Sequence, residues 1–506
     1  MRSKVTMKKK IMLLLSTSLL FSSYAITAFA KEATDSGNSG FSYILSSLAA
    51  SPAAIIGLLS VIFCIAIFVI FRKKLTNRLD GSSASLMTNI FILFFAINGI
   101  ACLFMAFATE GATWSNLMHV NPASTRKFTQ FEDYILNLQY AGTQNFAKSA
   151  KTNSPFSHLI YFILAQFLPN NFIFATKASA YTQILKNQTF MYMYLILTMF
   201  AFVLLYKMNR SVLRNNRLNI RDEIIAFMLV VSYPAIYCIE KGNITILSLV
   251  LTMAFVIFHN DKNIRIREAA YIALAASAAI TPYTIVFALI LVNKKVKVSV
   301  MNVIRIMIYF LILFVTPVTL TGTKSMVTYL KALTEVSTDF VAGNMSISNI
   351  LCLFGNTNSV VAYIFVILTQ LIAILAIILL PATWQKASAA VYFILNIFAV
   401  SDAVALLFVF IPLILLLGEK KHNASDWLYL LAFALLITPL PEWYSFDSTK
   451  FFFFIESIGI YGIRNANHLI DFAVSQFILI LIAVQSIGIL KNKRKLSAPA
   501  PEAIQA

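Results

Sequence analysis

The sequence predicts an all-α polytopic membrane protein, and three observations lead to that fold class. Of the 506 residues, 59% are hydrophobic and 12% are charged, and the mean hydropathy is +0.79. That is more apolar surface than a soluble core could bury, and runs of about 20 apolar residues recur along the chain. Lys and Arg cluster in short segments between these runs, as they do in the cytoplasmic loops of membrane proteins.

Charge and cysteine content exclude other classes. A net charge of +19 would favour nucleic acid as a partner of a soluble protein. Because the basic residues lie between apolar runs, we assign them to membrane topology and expect no nucleic acid. The four cysteines lie in or beside apolar runs without metal-ligand spacing, so neither a disulfide nor a zinc site is expected. With no second carboxylate suitably spaced, we expect no metal and no other cofactor.

The N-terminal region sets the topology. Residues 1–30 have a basic start and an apolar stretch, typical of either a signal peptide or a first transmembrane helix. Residues 31–86 contain an extra transmembrane helix that ends in a basic cluster, which places its end inside. The run Met87 to Ala108 then crosses outward. Residues 109–188 are therefore predicted to form one extracytoplasmic segment, which carries Asp133.

The remaining apolar runs extend a transmembrane domain over residues 87–490, followed by a cytoplasmic tail, residues 491–506. We expect roughly a dozen crossings in total. The run Ala269 to Val292 is interrupted at Thr281-Pro282-Tyr283 between two basic loops, which predicts two short or broken helices that meet near the outer face. The other predicted crossings are Thr189 to Tyr206, Glu223 to Cys238, Ile244 to Phe258, Val303 to Leu320, Val360 to Leu380, Ala389 to Val400, Ala403 to Leu417, Trp427 to Thr438 and Leu469 to Leu490.

Ionisable groups on the predicted outer face offer a carboxylate and cations, without a nucleophile triad. The chain has no Walker loop, no dinucleotide fingerprint and no HExxH motif. The outward candidates are Glu132, Asp133, His158, Glu240, Lys241, Asp339, Arg464 and His468.

This set of groups suits one reaction, the transfer of a sugar from a polyprenyl phosphate. The phosphate is already a good leaving group, so the enzyme mainly deprotonates an acceptor hydroxyl and stabilises phosphate charge. We therefore interpret the polar segment Phe131 to Tyr140 as a catalytic loop that carries a general base.

Several short motifs also occur in an order that resembles a known family. They are Asp133-Tyr134 with Asn137, Ser154-Pro155-Phe156, Glu240-Lys241-Gly242-Asn243, Thr281-Pro282-Tyr283 and Asn344-Met345-Ser346. In this order the chain resembles the GT-C superfamily of membrane glycosyltransferases, in the polyprenyl-phosphate-sugar-dependent branch that includes mycobacterial mannosyltransferases. The resemblance covers about residues 87 to 420.

The resemblance implies a GT-C-type transmembrane helix bundle with interfacial helices in its extracytoplasmic loops. It implies an inverting transferase of the cell membrane that moves mannose or another sugar from a polyprenyl-phosphate-linked donor to a lipid or glycan acceptor. Asp133 would be the catalytic base, supported by Glu132. The motif positions implied to bind substrate are Asn137, Asn243, Tyr283, Asn344 and Ser346.

Two departures from the family pattern concern the donor phosphate. The broken-helix lysine of the family is Thr281 here, and one proline of its Tyr-Pro-Pro motif is missing. We expect Lys241 and Arg464 to bind phosphate instead, although Lys241 is also explained as a snorkelling surface lysine, and Arg464 as an interfacial anchor. His158 is a further substrate-binding candidate, with a purely structural role as its alternative.

A second class of function stays open. A transporter or flippase of a lipid-linked or small solute would place ionisable groups at mid-membrane and show repeated halves. The sequence has few charged groups within its apolar runs, and its polar motifs collect on one face. A glycan polymerase would want several arginines in the first outer loop, which has only Arg126.

Overall fold

The computed structural model describes residues 83–108, 131–144, 146, 153–167, 189–213, 224–225, 228–229, 232–292, 296–335, 344–353, 358–397, 403–419, 421–438 and 466–497. Within them the chain is mostly helical and contains no strand. The predicted signal peptide or first helix and the extra N-terminal helix lie outside the described residues.

The described α-helices are numbered here in chain order, and two 3₁₀ helices interrupt them. The α-helices are α1 Ser83–Ala108, α2 Glu132–Gly142, α3 Pro155–Ala165, α4 Thr189–Leu213, α5 Tyr233–Lys241, α6 Thr245–Phe258, α7 Ile264–Ile280, α8 Val296–Val315, α9 Val318–Thr321, α10 Thr323–Thr334, α11 Ile347–Leu353, α12 Ser359–Leu379, α13 Thr383–Leu395, α14 Phe410–Leu417, α15 Ala424–Ile437 and α16 Ala466–Ser497. The 3₁₀ helices are Pro282–Leu291 and Ala405–Val409.

Four stretches of the described residues are long and apolar enough to cross a membrane. They are Tyr192–Leu213, Val298–Thr321, Ser359–Leu379 and Asp471–Lys491. Other predicted crossings correspond to shorter apolar helices. Helix α6, with 14 residues, is about 21 Å long, against a hydrocarbon core of about 30 Å. The finding supports a helical membrane protein, with fewer full-length spans among the described residues than the dozen expected.

The predicted helix break at Thr281-Pro282 is confirmed. Helix α7 ends at Ile280 and a ten-residue 3₁₀ helix begins at Pro282. Proline has no backbone N–H and cannot continue the hydrogen-bond ladder of the preceding helix. The carbonyl groups just before the break therefore need other donors.

Helix α3 supplies those donors. Ser154, which caps the N-terminus of α3, donates its hydroxyl to the carbonyl of Ala279 at 2.5 Å. Ser157 donates to the carbonyl of Ile280 at 3.1 Å. Non-helical backbone at membrane depth is tolerated only where protein or a cavity satisfies it, so these two serines stabilise the break and fix α3 against it.

Five buried hydroxyl groups hold the broken helix against α6. Ser277 contacts Ser248 at 2.5 Å, Thr252 at 2.7 Å and Thr284 at 3.0 Å. The hydroxyl of Thr281 contacts that of Ser248 and also donates to the Ser277 carbonyl. Thr281 thus joins the end of α7 to α6.

The opposite end of the 3₁₀ helix is held by a lysine. Lys386 of α13 is 8% exposed, and its ammonium donates to the carbonyls of Ile290 at 3.3 Å and Val292 at 2.8 Å. A cation is favourable beside the carbonyls at a helix C-terminus. The 3₁₀ helix therefore runs from the break, beside the start of α6, back toward α13.

The segment around Asp133 was expected to be a loop, and this was wrong, because it forms helix α2. Its apolar residues recur at the spacing of one helical face, and that face is buried. Together with α3 it forms a small apolar core, separate from the large core of the bundle. The buried members of this small core are Tyr134, Ile135, Leu138, Ala141, Phe146, Tyr161, Ala165, Tyr194, Ile244 and Ile280.

Candidate functional site

The structure joins the acidic segment to the Gly-Asn turn. The side-chain amide of Asn243 donates to Oδ2 of Asp133 at 3.1 Å, although the two residues are 110 positions apart. The other side-chain atom of Asn243, Oδ1, accepts from the backbone N–H of Thr245 at 2.9 Å and from its hydroxyl at 2.6 Å. The start of α6 therefore fixes the amide that holds the carboxylate. We call Asp133, Gly242 and Asn243 the acid–turn junction.

Gly242 allows the turn to approach α2 this closely. It has φ +71°, and the N–H groups of Gly242 and Asn243 bond to the carbonyls of Ile239 and Cys238, each at 3.0 Å, which is a Schellman motif ending α5. A Cβ on Gly242 would lie 2.7 Å from Cβ of Tyr134. Both the backbone conformation and the contact therefore require glycine.

A second contact, between backbone groups, joins the same two segments. The N–H of Phe131, which has φ 55° and precedes α2, donates to the carbonyl of Glu240 at 2.5 Å. Asp133 is thus held from two sides, by the backbone before α2 and by the amide of Asn243.

Three tyrosines pack beneath the junction. Tyr134 lies 4.9 Å from Tyr194 and 6.3 Å from Tyr161, measured between ring centroids. Burial raises the pKa of Tyr134, and burial followed by the nearby charge of Asp133 raises the pKa of Tyr161. Both phenols therefore stay protonated at neutral pH. No described residue bonds to the buried hydroxyl of Tyr134.

Asn137 lies one helical turn after Asp133 and is 7% exposed. Its Oδ1 accepts from the amide of Asn153 at 2.7 Å, and its side chain also bonds to the Tyr161 phenol. Asn137 thereby connects α2 to the residues at the start of α3. The geometry makes it a contact between these helices, close to the carboxylate.

His158 is buried, at 1% exposed, between α3 and α10. The centroid of its ring lies 5.4 Å from that of Phe146, with the two planes tilted by 39°. Its Nδ1 lies 3.5 Å from the hydroxyl of Ser325. These are contacts within the protein, and the substrate-binding role of His158 stays a prediction.

The predicted phosphate-binding and supporting residues are described in part. The ammonium of Lys241 lies 5.7 Å from the ring centroid of Tyr237, one turn earlier in α5, and Lys241 immediately precedes the junction glycine. Glu132 begins α2, but its side chain is outside the described part. Arg464 lies outside the described residues altogether.

The other predicted residues lie away from the small core. Tyr283 follows the helix break, is 7% exposed and packs edge-on against Phe408 at 5.9 Å. Oδ1 of Asn344 accepts from the N–H of Ser346 at 3.0 Å and from its hydroxyl at 2.7 Å, in a turn that precedes α11. Of the predicted motif residues, the structure brings together Asp133, Asn137 and Asn243.

A separate set of polar contacts crosses the bundle, and we call it the buried polar chain. The N–H of Ile347 donates to Asn396 at 2.9 Å, whose amide donates to the Thr369 hydroxyl at 2.5 Å. Thr369 also contacts Tyr392, whose hydroxyl donates to Gln476 at 3.1 Å. This chain links α11, α12, α13 and α16 through neutral groups.

Asp471 lies on α16 near this chain, five residues before Gln476. It begins the apolar span Asp471–Lys491 and is 9% exposed. Sequence reasoning missed Asp471 although it lies in the predicted crossing Leu469 to Leu490, where Asp471, Ser475 and Ser486 share the buried face of α16.

Sequence reasoning also missed three residues around the junction. They are Asn153, Tyr161 and Tyr194, the last of which donates its hydroxyl to the carbonyls of Cys238 and Asn243, each at 3.2 Å. An available signal was that each interrupts or borders an apolar run with a hydrogen-bonding group. The sequence does not reveal that they converge.

Chemically, the junction offers one carboxylate, held by an amide and flanked by protonated phenols. Such a group can accept a proton from a hydroxyl or bind a polar ligand. Within the described residues no group of three or more His, Cys, Asp or Glu could hold a metal ion. No family model, no curated protein and no solved structure matches the chain.

Proposed function

We propose that the protein is a membrane glycosyltransferase of the GT-C type, with Asp133 as its general base. The observation that carries the proposal is the hydrogen bond from Asn243 to Asp133. Two polar motifs that the resemblance assigns to one catalytic site, far apart in sequence, are in contact. The proposed location is the cell membrane, with the junction on the extracytoplasmic face.

The proposed donor is a sugar linked to a polyprenyl phosphate, and the acceptor is a hydroxyl of a lipid or glycan. Asp133 takes the hydroxyl proton while the acceptor oxygen forms a bond to the anomeric carbon of the sugar. The bond from that carbon to the phosphate oxygen breaks, and the polyprenyl phosphate leaves with the electron pair. Attack opposite the leaving group inverts the anomeric centre.

The surroundings of Asp133 support its role as base. Tyr134 and Tyr161 hold their protons at neutral pH, since burial raises the pKa of both. They cannot compete with the carboxylate for the acceptor proton. The amide of Asn243 donates to Oδ2 at 3.1 Å and so fixes the position of the carboxylate. A base must be held in hydrogen-bonding reach of the proton it removes.

Lys241 is the described residue that we propose to stabilise the phosphate, with Arg464. Lys241 adjoins the junction through Gly242, and no carboxylate of the described residues forms an ion pair with it. A cation beside a leaving phosphate offsets the negative charge that develops there. Replacing Lys241 should therefore weaken donor binding more than the chemical step.

The test is sugar transfer by the purified full chain in liposomes, with a panel of polyprenyl-phosphate sugars and a membrane lipid extract as acceptor. Asp133→Asn should lower the rate by at least about a hundredfold, because general-base catalysis contributes about 10² to 10⁴. The matched control is Asp261→Asn, in the short α6–α7 loop, where Oδ1 accepts one backbone N–H. Equal activity of Asp133→Asn and wild type would remove Asp133 from the mechanism.

A transporter or flippase is the second candidate, and one observation favours it. Asp471 and the buried polar chain place polar groups inside apolar spans, which is typical of solute pathways. The same liposomes test it: substrate uptake abolished by Asp471→Asn, without sugar transfer in wild type, would replace the transferase proposal. Transfer unaffected by Asp471→Asn would support the transferase.

A further inference from the structure

Helix α10 lies across the ends of two membrane spans. The span Val298–Thr321 ends immediately before it, at Gly322, which has φ +80°. If the helix continued straight, Tyr329 would lie about 22 Å from Phe314, since 15 residues rise about 1.5 Å each. The two rings are instead 6.4 Å apart. The chain therefore turns back over the end of α8.

The far end of α10 is tied to the next span. The hydroxyl of Tyr363, in the second turn of α12, donates to the carbonyl of Thr334 at 3.1 Å. Between the two ends, Ser325 contacts His158 of α3. A helix whose two ends meet the ends of two spans lies at the depth where those spans leave the membrane.

The two faces of α10 differ. Ser325, Tyr329 and Ala332 are buried against the protein. The outer face combines two exposed lysines with two exposed apolar side chains, and these are Lys324, Val327 at 47%, Leu330 at 44% and Lys331.

This exposed face fits a lipid surface. Lys324, Val327 and Lys331 are spaced at i, i+3 and i+7, so they share one side of the helix. Amphipathic helices with apolar and basic residues lie in the membrane interface, where apolar groups enter the acyl boundary and lysines reach the headgroups. A helix facing water alone would leave Val327 and Leu330 in an unfavourable environment.

We propose that α10 is an interfacial helix that binds the phosphate groups of anionic phospholipids through Lys324 and Lys331, with Val327 and Leu330 inserted into the acyl boundary. The inference depends on membrane insertion and is independent of sugar transfer. Because Ser325 of α10 contacts His158 of α3, and α3 packs on α2, we infer that the seating of α10 sets the depth of the acid–turn junction relative to the membrane surface.

The first test is native mass spectrometry of the delipidated full chain titrated with phosphatidylglycerol. Lys324→Gln with Lys331→Gln should weaken retention of this lipid on the order of tenfold, because each basic residue near an anionic surface contributes measurably to binding. The matched control is Lys262→Gln with Arg265→Gln, which removes the same charge from two exposed residues, one just before α7 and one in its first turn. An unchanged titration, or an equal loss in the control pair, would overturn the proposal.

The second test holds even if the lysine variants fold poorly. The fluorescence that Val327→Trp adds to that of wild type in liposomes should be quenched by lipids brominated near the top of their acyl chains. Comparing phosphatidylcholine liposomes with and without phosphatidylglycerol shows whether the insertion of α10 depends on anionic headgroups. Quenching by aqueous iodide, with none by the brominated lipids, would show that α10 faces water and would contradict the inference.

Discussion

The acid–turn junction and the buried polar chain both join helices by side-chain hydrogen bonds, but they differ in charge and burial. The junction holds a carboxylate, half-buried, against one amide and a glycine turn. The buried polar chain consists of neutral hydroxyl and amide groups, two of which, Thr369 and Gln476, lie in spans. A charge buried in an apolar environment without a partner is far more unfavourable than a bonded neutral group.

Substitutions in the two regions should therefore have different effects. At the junction, a single glycine and a single amide decide whether the carboxylate is in place, so changes there should affect both stability and activity. In the buried polar chain, losing one neutral bond should affect stability only slightly. The predictions below separate the two regions in that order.

The largest effect on stability is expected for Gly242→Ala. The left-handed φ disfavours a Cβ by about 1 to 2 kcal/mol, and the 2.7 Å contact with Tyr134 adds overpacking of about 1 to 3 kcal/mol. The free energy of unfolding, measured by denaturant titration in detergent, should fall by the sum of these two contributions.

Two other glycines separate these contributions. Gly322 also has a positive φ but open space around its Cβ position, so Gly322→Ala should destabilise through the backbone alone. Gly99 lies inside α1 with open space around its Cβ position, so Gly99→Ala should stabilise the protein slightly. Equal losses at Gly242 and Gly322 would contradict the close contact between the turn and α2.

A smaller loss is expected when the helix break loses its donors. Ser154→Ala leaves the carbonyl of Ala279 unsatisfied and removes the cap of α3, which should destabilise by about 1 to 3 kcal/mol. Ser157→Ala should act in the same direction through the carbonyl of Ile280. The loss of stability in both variants is measured by thermal unfolding.

The matched control for these serines is Ser211→Ala. Its hydroxyl also donates to a helix carbonyl, but Ser211 is exposed, so the change should stay within about 0.5 kcal/mol. If the loss at Ser154 were no larger than at Ser211, the break would not depend on α3.

The smallest effect is expected in the buried polar chain. Tyr392→Phe removes the bond to Gln476, and hydrogen bonds between membrane helices contribute about 0.6 kcal/mol on average. Tyr429→Phe, which removes a like bond to Gln485 at 3.1 Å, is the control. Both should leave sugar transfer within about twofold of wild type. A hundredfold loss in Tyr392→Phe alone would extend the site into this region.

Much of the fold class was predictable from the sequence, because apolar runs and basic clusters report membrane insertion directly. The helix break was predictable too, since proline at position 282 acts locally. The helical state of Glu132–Gly142 was missed, although Tyr134, Ile135 and Leu138 already carried helical spacing. Its adjacent carboxylates, Glu132 and Asp133, make the segment polar overall and so obscure that apolar face in the sequence.

The candidate site was predictable only as separate parts. Asp133 and Asn243 could each be placed at one predicted face of the membrane, but their contact depends on a close approach that only Gly242 permits. The serines that satisfy the helix break could not be assigned this role, because no local pattern shows which distant carbonyls they meet. The buried Asp471 was missed although it lies inside a predicted crossing.

The most direct test of the account is a double-mutant cycle on sugar transfer with Asp133→Asn, Asn243→Ala and the combination. Asn243→Ala should lower the rate about tenfold or more, since a hydrogen bond to a charged group contributes about 1.5 to 3 kcal/mol. If Asn243 acts by positioning Asp133, the double variant should be no slower than Asp133→Asn alone. Rate losses that multiply in the double variant would contradict the claim that these two residues form one site.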